Sequence, residues 1–368
     1  MDATAYVREL AAAARSAAAK LATVAGQRRK AALIASAGAI RARADQLRAA
    51  NAEDLAAASE AALAEAMIDR LKLTDERIEA MAAGLEAVAA QADPVGRTIA
   101  GYNRPNGLRI EKRRVPLGVV AIIYESRPNV TADAAGLCLA SGNACILRGG
   151  KEALRSNLAI GQCLRAGLAE AELPAAAVTV LESTDRAVVP ALARAEGLID
   201  LTIPRGGEGL IRAVVEAATV PVIKHYAGNC HVYVDASADE QMARAIVLNA
   251  KCQRPGVCNA AETLLVHADH AKAGGMLSRI LGDLLAAGVE IRGDERTVAN
   301  SPKVKAASEA DWTTEYLALI LAVKVVDDLE AAIAHINRYG SGHTDAIVTS
   351  NIAAGKRFVD AVDSSSVM

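Results

Sequence analysis

Four short segments rich in Val, Ile and Leu place the tightest constraint on the fold of this chain. They lie at 117–123, 144–148, 177–181 and 198–203, and stretches with helical spacing separate them. Near-continuous apolar strands are typical of a parallel sheet that is buried on both faces, because the connecting helices cover both sides of it. The sequence therefore predicts an α/β fold.

A second group of strands begins at residue 231. Its predicted strands are 231–235, 262–267, one near 319–326 and one near 345–349, with a helix at 238–250. A chain of 368 residues is too long for one ordinary domain. We therefore predict two lobes, 1–230 and 231–368, each with its own sheet.

The chain before the first strand has a different character. Residues 3–90 are rich in Ala, Leu, Arg and Glu with helical spacing, which is typical of a packing layer. Within it, Asn51 and Asp54 resemble a break and a cap between two helices. Residues 97–114 predict a β-hairpin around a Pro-Asn-Gly turn. This hairpin is either a solvated local element or an arm that reaches another subunit or lobe.

The composition excludes several classes of partner. The 41 basic residues balance 43 acidic ones without a basic tract, which argues against nucleic acid or an anionic membrane surface. No C-x-x-C pair or H-E-x-x-H motif occurs, so no metal site is predicted. No stretch approaches the ~20 apolar residues of a membrane span. The six scattered Cys suit the reduced thiols of a cytosol, so we expect a cytoplasmic protein.

The stretch at 249–259 carries the clearest chemistry. A helix ends, a Pro-Gly turn follows, and the pair Cys258 and Asn259 leads into a strand. A Cys at such a turn is a candidate nucleophile, because nearby backbone N–H groups can activate it and face a developing oxyanion. Residue types alone leave open that Cys258 is one more buried small side chain. Lys251 and Arg254 add positive potential for an anionic substrate.

Two glycine-containing turns follow strands of the first lobe. One contains Pro204, Gly206 and Gly207 and precedes a helix, which is the geometry for a phosphate at a helix N-terminus. It is not G-x-G-x-x-G, so it can equally be an ordinary turn. The other runs from Arg148 through Gly149 to Lys151. Basic groups at the carboxyl end of a parallel strand fit a ligand site, although a solvated loop has the same composition.

A polar stretch also follows the first strand, at 124–133. Thr131 or Asp133 can serve as the cap of the apolar helix that comes next. Arg127 and Asn129 have no such structural task, so we predict that they contact the substrate.

These stretches, in this order, resemble the γ-glutamyl phosphate reductases, a branch of the aldehyde dehydrogenase superfamily. The resemblance covers essentially the whole chain. The matching phrases are VPLGVV (115–120), YESRPNVT (124–131), ILRGGK (146–151), IPRGG (203–207), VIKHY (222–226), CHVYVD (230–235), QRPGVCN (253–259) and NRYGSGHTDA (337–346).

The resemblance implies an aldehyde dehydrogenase-like fold, with a Rossmann-type NADP lobe in 1–230, a catalytic lobe in 231–368 and an oligomerisation hairpin at 97–114. It implies that Cys258, with Asn259, forms a thioester from L-glutamyl 5-phosphate, which NADPH reduces to L-glutamate 5-semialdehyde with release of phosphate, in proline biosynthesis. The cofactor ligands expected are Arg148, Gly149, Lys151, Pro204, Gly206, Gly207 and Glu315. The substrate ligands expected are Arg127, Asn129, Lys251 and Arg254.

The resemblance has departures. Oxidative relatives carry a Glu base where this chain has residues 224–226, and a reductase gains nothing from activating water on its thioester. Ala140, Ala227 and Ala318 stand where the family leads us to expect Lys, Asp and Asp. The family also continues past Met368 with a further strand and a tail. We therefore expect an incomplete catalytic lobe and a poorly active chain.

The resemblance further implies a homo-oligomer that works with glutamate 5-kinase. Two alternatives stay open at this point. One is an acylating aldehyde dehydrogenase, and the other is a non-catalytic fragment that keeps a dinucleotide pocket.

Overall fold

The computed structural model describes residues 2–272 and 274–368. The chain divides into two compact units, Met1–His225 and Tyr226–Met368. The division falls close to residue 231, where the sequence pattern starts a second group of strands. Among the described residues, no helix is long and apolar enough to cross a membrane.

The first unit is an α/β layer structure around a parallel sheet. Its helices are α1 (Ala3–Leu21), α2 (Gly26–Ala42), α3 (Ala44–Glu60), α4 (Glu65–Leu71), α5 (Asp75–Ala90), α6 (Asn129–Ala140), α7 (Leu154–Glu170), α8 (Val188–Ala193) and α9 (Glu208–Ala217). Its strands are β1 (Thr98–Asn103), β2 (Arg109–Arg113), β3 (Val119–Tyr124), β4 (Ala144–Arg148), β5 (Val178–Val180) and β6 (Leu201–Arg205). The order β5-β4-β3-β6 is parallel throughout, and every residue of β3 is buried. The predicted α/β class is confirmed.

The second unit has a larger parallel sheet. Its strands are β7 (Cys230–Val234), β8 (Ala261–His267), β9 (Glu290–Gly293), β10 (Lys305–Ala306), β11 (Ile320–Val326), β12 (Thr344–Val348) and β13 (Ser366–Val367). Its helices are α10 (Glu240–Cys252), α11 (Met276–Ala286), α12 (Glu295–Val298), α13 (Leu329–Tyr339) and α14 (Ile352–Ala361). The strand order is β10-β9-β11-β8-β7-β12-β13. Along β7, Val232 and Val234 join one apolar cluster and Tyr233 joins another, as the two-residue period of a strand requires.

The predicted hairpin is present in the first unit. Strands β1 and β2 pair antiparallel, and Gly107 has a φ of 85° in the turn between them. Positive φ favours glycine there, because a side chain would crowd the backbone. The hairpin leaves Ile99, Tyr102 and Leu108 more than half exposed. Large apolar side chains exposed together often mark a contact surface.

The helical layer differs from the sequence prediction at Asn51 and Asp54. Helix α3 runs unbroken through both positions, and both side chains are buried. The Asp54 carboxylate accepts hydrogen bonds from the backbone N–H groups of Arg155 (3.3 Å) and Ser156 (2.8 Å), and from the Ser156 hydroxyl (2.7 Å). The residue before α7 is Ala153, whose side chain cannot accept a hydrogen bond. Asp54, which belongs to the distant helix α3, therefore caps the start of α7 in its place.

We expect Asp54→Ala to lower the free energy of unfolding by ~3 kcal/mol, because it leaves buried N–H and O–H donors without an acceptor. Glu53→Ala is the matched control. Glu53 also pairs with Arg155, but both of these side chains are more than half exposed, so its loss should cost less than about 1 kcal/mol. Urea unfolding followed by circular dichroism measures both. Equal losses for the two variants would contradict the capping role.

Candidate active site

Cys258 lies in the connection between α10 and β8. Helix α10 ends just before Pro255, and the residue before a proline is driven away from helical geometry. Two tight turns follow, closed by hydrogen bonds from Val257 N to Arg254 O (3.3 Å) and from Ala260 N to Val257 O (3.1 Å). These turns leave Cys258 half-buried.

The backbone of Cys258 lies directly against the first residues leading into β7. A Cβ added to Gly228 would lie 1.8 Å from the carbonyl oxygen of Cys258, so a residue with a side chain cannot occupy position 228 without moving the loop. The Cys230 thiol donates to the same carbonyl oxygen at 3.2 Å. Burial, assisted by the charge of Asp345, raises the pKa of Cys230 to about 12. The Cys230 thiol therefore stays protonated and keeps its role as a donor.

The segment 228–230 is itself held by several loops. Gly228 N donates to the carboxylate of Glu315 at 2.8 Å. The backbone N–H of Asn229 donates to the hydroxyl of Ser341 at 3.0 Å. The side-chain amide of Asn229, which is buried, donates to the carbonyl oxygens of Trp312 (2.7 Å) and Tyr339 (2.8 Å). These bonds make segment 228–230 a fixed support for the Cys258 loop.

His343 adds a titratable group that the sequence analysis did not single out. A ring nitrogen of His343 and the sulfur of Cys258 lie within 4.8 Å of each other. The Nδ1 atom is 2.7 Å from the hydroxyl of Thr344 and 3.7 Å from the sulfur of Cys230. The sequence signal was a single histidine between small residues directly before a strand. That signal is weak, because Cys258 lies far away along the chain.

These groups meet because three neighbouring strands are parallel. Strands β8, β7 and β12 are adjacent in the sheet. Cys258 precedes β8, Cys230 opens β7, and His343 immediately precedes β12. All three residues therefore belong to the amino edge of the same sheet.

Lys251, which the sequence predicts as a ligand of the substrate phosphate, lies in a buried ion pair. Its side chain and that of Glu262 are both 0% exposed, and their charged atoms are 2.6 Å apart. The ammonium also donates to the carbonyl oxygen of Ala261 at 2.9 Å. Lys251 thus fastens the end of α10 to the start of β8, on either side of the Cys258 loop, and is shielded from solvent.

Glu262 completes this buried pair. Its second carboxylate oxygen accepts from the backbone N–H of Leu317 at 3.1 Å. Burial raises the pKa of Glu262, while the adjacent Lys251 opposes the rise. The pair therefore also secures the loop that contains Glu315, the carboxylate that anchors Gly228.

The other predicted substrate ligands are divided between the two units of the chain. Arg254 and Asn259 are exposed in the Cys258 loop of the second unit. Arg127 and Asn129 belong to the first unit, between β3 and the start of α6. Arg127 is half-buried, and the side-chain amide of Asn129 donates to the carboxylate of Asp133 at 3.0 Å.

The predicted cofactor residues of the first unit lie after β4 and β6, at the carboxyl edge of the sheet. Arg148 ends β4, and its guanidinium donates to the carbonyl oxygens of Gly149 (3.1 Å) and Thr184 (3.4 Å). Burial lowers the pKa of Arg148. Lys151 is exposed and opens a short 3₁₀ turn. An exposed ammonium at this edge fits the phosphate of a dinucleotide.

The glycine turn after β6 donates a backbone hydrogen bond to a carboxylate of the protein itself. Pro204 lies within β6, and Gly207 is the residue before α9. Glu125 accepts from Gly207 N at 2.9 Å, and a Cβ on Gly206 would lie 2.6 Å from the Glu125 carboxyl carbon. The protein's own carboxylate thus occupies the helix N-terminus where the sequence suggested a phosphate. A ligand phosphate there requires Glu125 to move.

Comparisons with known proteins match this architecture. The sequence model of the aldehyde dehydrogenase family matches residues 2–281. Proteins named γ-glutamyl phosphate reductase from Moorella thermoacetica and Geotalea daltonii are 52% identical over 354 residues and 51% identical over 362 residues. These matches cover 96% and 98% of this chain, and 84% and 86% of the two relatives.

A solved structure agrees with these relatives. The crystal structure of γ-glutamyl phosphate reductase from Thermotoga maritima superposes with a TM-score of 0.93 at 44% identity, covering 98% of this chain and 87% of the other. The chain therefore belongs to the aldehyde dehydrogenase family, in the branch of the γ-glutamyl phosphate reductases.

Proposed function

We propose that this protein reduces L-glutamyl 5-phosphate to L-glutamate 5-semialdehyde and phosphate with NADPH, as a step of proline biosynthesis. The observation that carries the proposal is the 52% identity to a γ-glutamyl phosphate reductase across 96% of the chain. The chemistry of the Cys258 loop supports it independently of that likeness.

Cys258 is the proposed nucleophile. Its sulfur attacks the acyl carbon, the carbon–oxygen bond to phosphate breaks, and a thioester remains. NADPH, when bound, supplies the hydride that reduces this thioester to the aldehyde. The fixed backbone at Gly228 supports the assignment, because a nucleophile must be held close to its attack position. The exposed side-chain amide of Asn259 is the proposed donor to the developing oxyanion.

Arg254 is the proposed ligand of the substrate phosphate. It is exposed and lies four residues before the thiol in the chain. Arg127 and Asn129 are proposed to hold the anionic part of glutamate, since guanidinium and amide donors form strong bonds to carboxylates. Asn129 must then exchange its present bond to Asp133. We do not include Lys251 among the proposed substrate ligands, because its charge is buried against Glu262.

Residues 1–230 are the proposed NADP lobe and residues 231–368 the proposed catalytic lobe. The proposed cofactor ligands are Arg148, Gly149, Lys151, Pro204, Gly206, Gly207 and Glu315. The exposed ammonium of Lys151 is the strongest support for NADPH over NADH, because the 2′-phosphate of NADPH needs a cation.

The hairpin 97–114 is the proposed contact between subunits of a homo-oligomer. Its exposed Ile99, Tyr102 and Leu108 would be shielded from water in such a contact. We also propose a cytoplasmic location and functional coupling to glutamate 5-kinase, because the acyl phosphate is labile and its producer should be near.

Cys258→Ala should abolish aldehyde formation, because it removes the sulfur that forms the proposed thioester, while NADPH still binds. Reductase assays and fluorescence titration with NADPH measure the two properties. Cys252→Ala, in the adjacent helix, is the matched control and should retain most of its activity. Near-normal turnover by Cys258→Ala would remove Cys258 from the mechanism.

Lys151→Glu should shift the cofactor preference from NADPH toward NADH by about ten- to a hundredfold, since a charge-assisted phosphate contact contributes ~1.5–3 kcal/mol. The ratio of kcat/KM for the two cofactors is the measurement. Lys20→Glu, at an exposed position near the end of α1, should leave the ratio unchanged. The assignment is wrong if the unmodified protein uses both cofactors equally.

A further inference from the structure

We propose that His343 is the proton-transfer residue of the reaction. It takes the proton of the Cys258 thiol as sulfur attacks, and it gives that proton to the departing phosphate. The inference rests on the proposed role of Cys258 and goes beyond it, because no residue has yet been assigned to the proton.

The position of His343 carries the inference. A ring nitrogen lies within 4.8 Å of the Cys258 sulfur, a separation that has to shorten to a hydrogen bond when substrate binds. Nucleophile–base contacts are often this loose before substrate binds. The ring is half-buried, so it is reachable by substrate but partly shielded from bulk water.

The surroundings of His343 orient its ring. Its Nδ1 atom lies 2.7 Å from the Thr344 hydroxyl, a contact that restrains the orientation of the ring. Its backbone carbonyl accepts from Ser366 N at 3.1 Å, and the carbonyl of Gly342 accepts from Ser365 N at 2.9 Å. The residue before β12 is thus held by the segment that leads into β13. A base held by such bonds is the arrangement that proton transfer requires.

Several titratable groups of the second unit near the Cys258 loop have printed partners. Cys230 is kept protonated by its raised pKa, and Glu315 accepts from Gly228 N. Lys251 and Glu262 are buried against each other.

The remaining charged group of β12, Asp345, is also engaged. It accepts from the backbone N–H (2.8 Å) and the ring (2.9 Å) of His231. The Ser364 hydroxyl donates to its other oxygen.

The proton balance of the reaction requires such a group. The sulfur lone pair forms the carbon–sulfur bond while the bond between the acyl carbon and the phosphate oxygen breaks. The thiol proton passes to the imidazole and then to the phosphate oxygen. Once the thioester has been reduced to the aldehyde, sulfur leaves as thiolate, and His343 would return a proton from water to it. Each cycle therefore takes one proton from water and releases it with phosphate.

The test is the burst of phosphate that one enzyme equivalent releases from L-glutamyl 5-phosphate without NADPH. His343→Asn should slow the burst by about 10²–10⁴-fold near neutral pH, the usual contribution of a general base. The difference in burst rate between His343→Asn and the unmodified protein should shrink as the pH rises, because hydroxide can then take the proton in place of the imidazole. The matched control is His267→Asn, at the carboxyl end of β8, which should behave as the unmodified protein.

Chemical rescue separates proton transfer from positioning. Added imidazole should restore part of the burst rate of His343→Ala, and the restored rate should follow the basicity of substituted imidazoles. Circular dichroism verifies that His343→Ala is folded. If His343→Ala does not fold, the same rescue is measured with His343→Gln. A burst within about threefold of the unmodified rate would overturn the proposal. A loss of burst rate that is equal at every pH and is not restored by imidazole would also overturn the proposal.

Cys258→Ala distinguishes this failure from failure of the proposed function. The proposal expects no phosphate burst from that variant. A burst that persists without the thiol overturns the covalent mechanism and the role of His343 together. A burst that needs the thiol but not His343 overturns only the proton-transfer role.

Discussion

The arrangement of the candidate active site depends on one backbone contact. The carbonyl oxygen of Cys258 occupies space that a side chain at position 228 would fill. The Cys258 loop can therefore pack against the segment 228–230 in this way only while residue 228 is glycine. Cys230 adds a thiol donor to the same oxygen, and the Asn229 side chain ties the segment to the carbonyl groups of Trp312 and Tyr339. Backbone packing thus constrains the loop that carries the Cys258 sulfur.

The two units place their candidate groups at opposite ends of parallel strands. In the first unit, Arg148 and Lys151 follow the carboxyl end of β4, which is the usual place for a ligand in an open α/β sheet. In the second unit, Cys258 and His343 precede the amino ends of β8 and β12. The buried pair of Lys251 and Glu262 makes that amino edge rigid, because breaking it would leave an unpaired charge in the core.

The sequence predicted what is local and missed what depends on distant partners. The strands and the Cys258 turn were predictable, because apolar runs and a Pro-Gly turn act over a few residues. Lys251 looked like a substrate ligand, since nothing in a sequence shows that Glu262 neutralises it inside the core. Asp54 looked like a local cap, but it caps a helix that starts a hundred residues later. His343 became a candidate only when the sheet brought β12 beside β7.

The proposed role of Cys258 depends on the backbone contact at Gly228, which would hold the thiol in position. Gly228→Ala tests it most directly, with Gly282→Ala as control because a Cβ at position 282 meets nothing within 4 Å. We predict that Gly228→Ala lowers kcat/KM for L-glutamyl 5-phosphate by about 10²-fold, as expected for a displacement of roughly 1 Å. The control should match the unmodified enzyme. If Gly228→Ala turns over as fast as Gly282→Ala, the contact does not position the thiol and the claim fails.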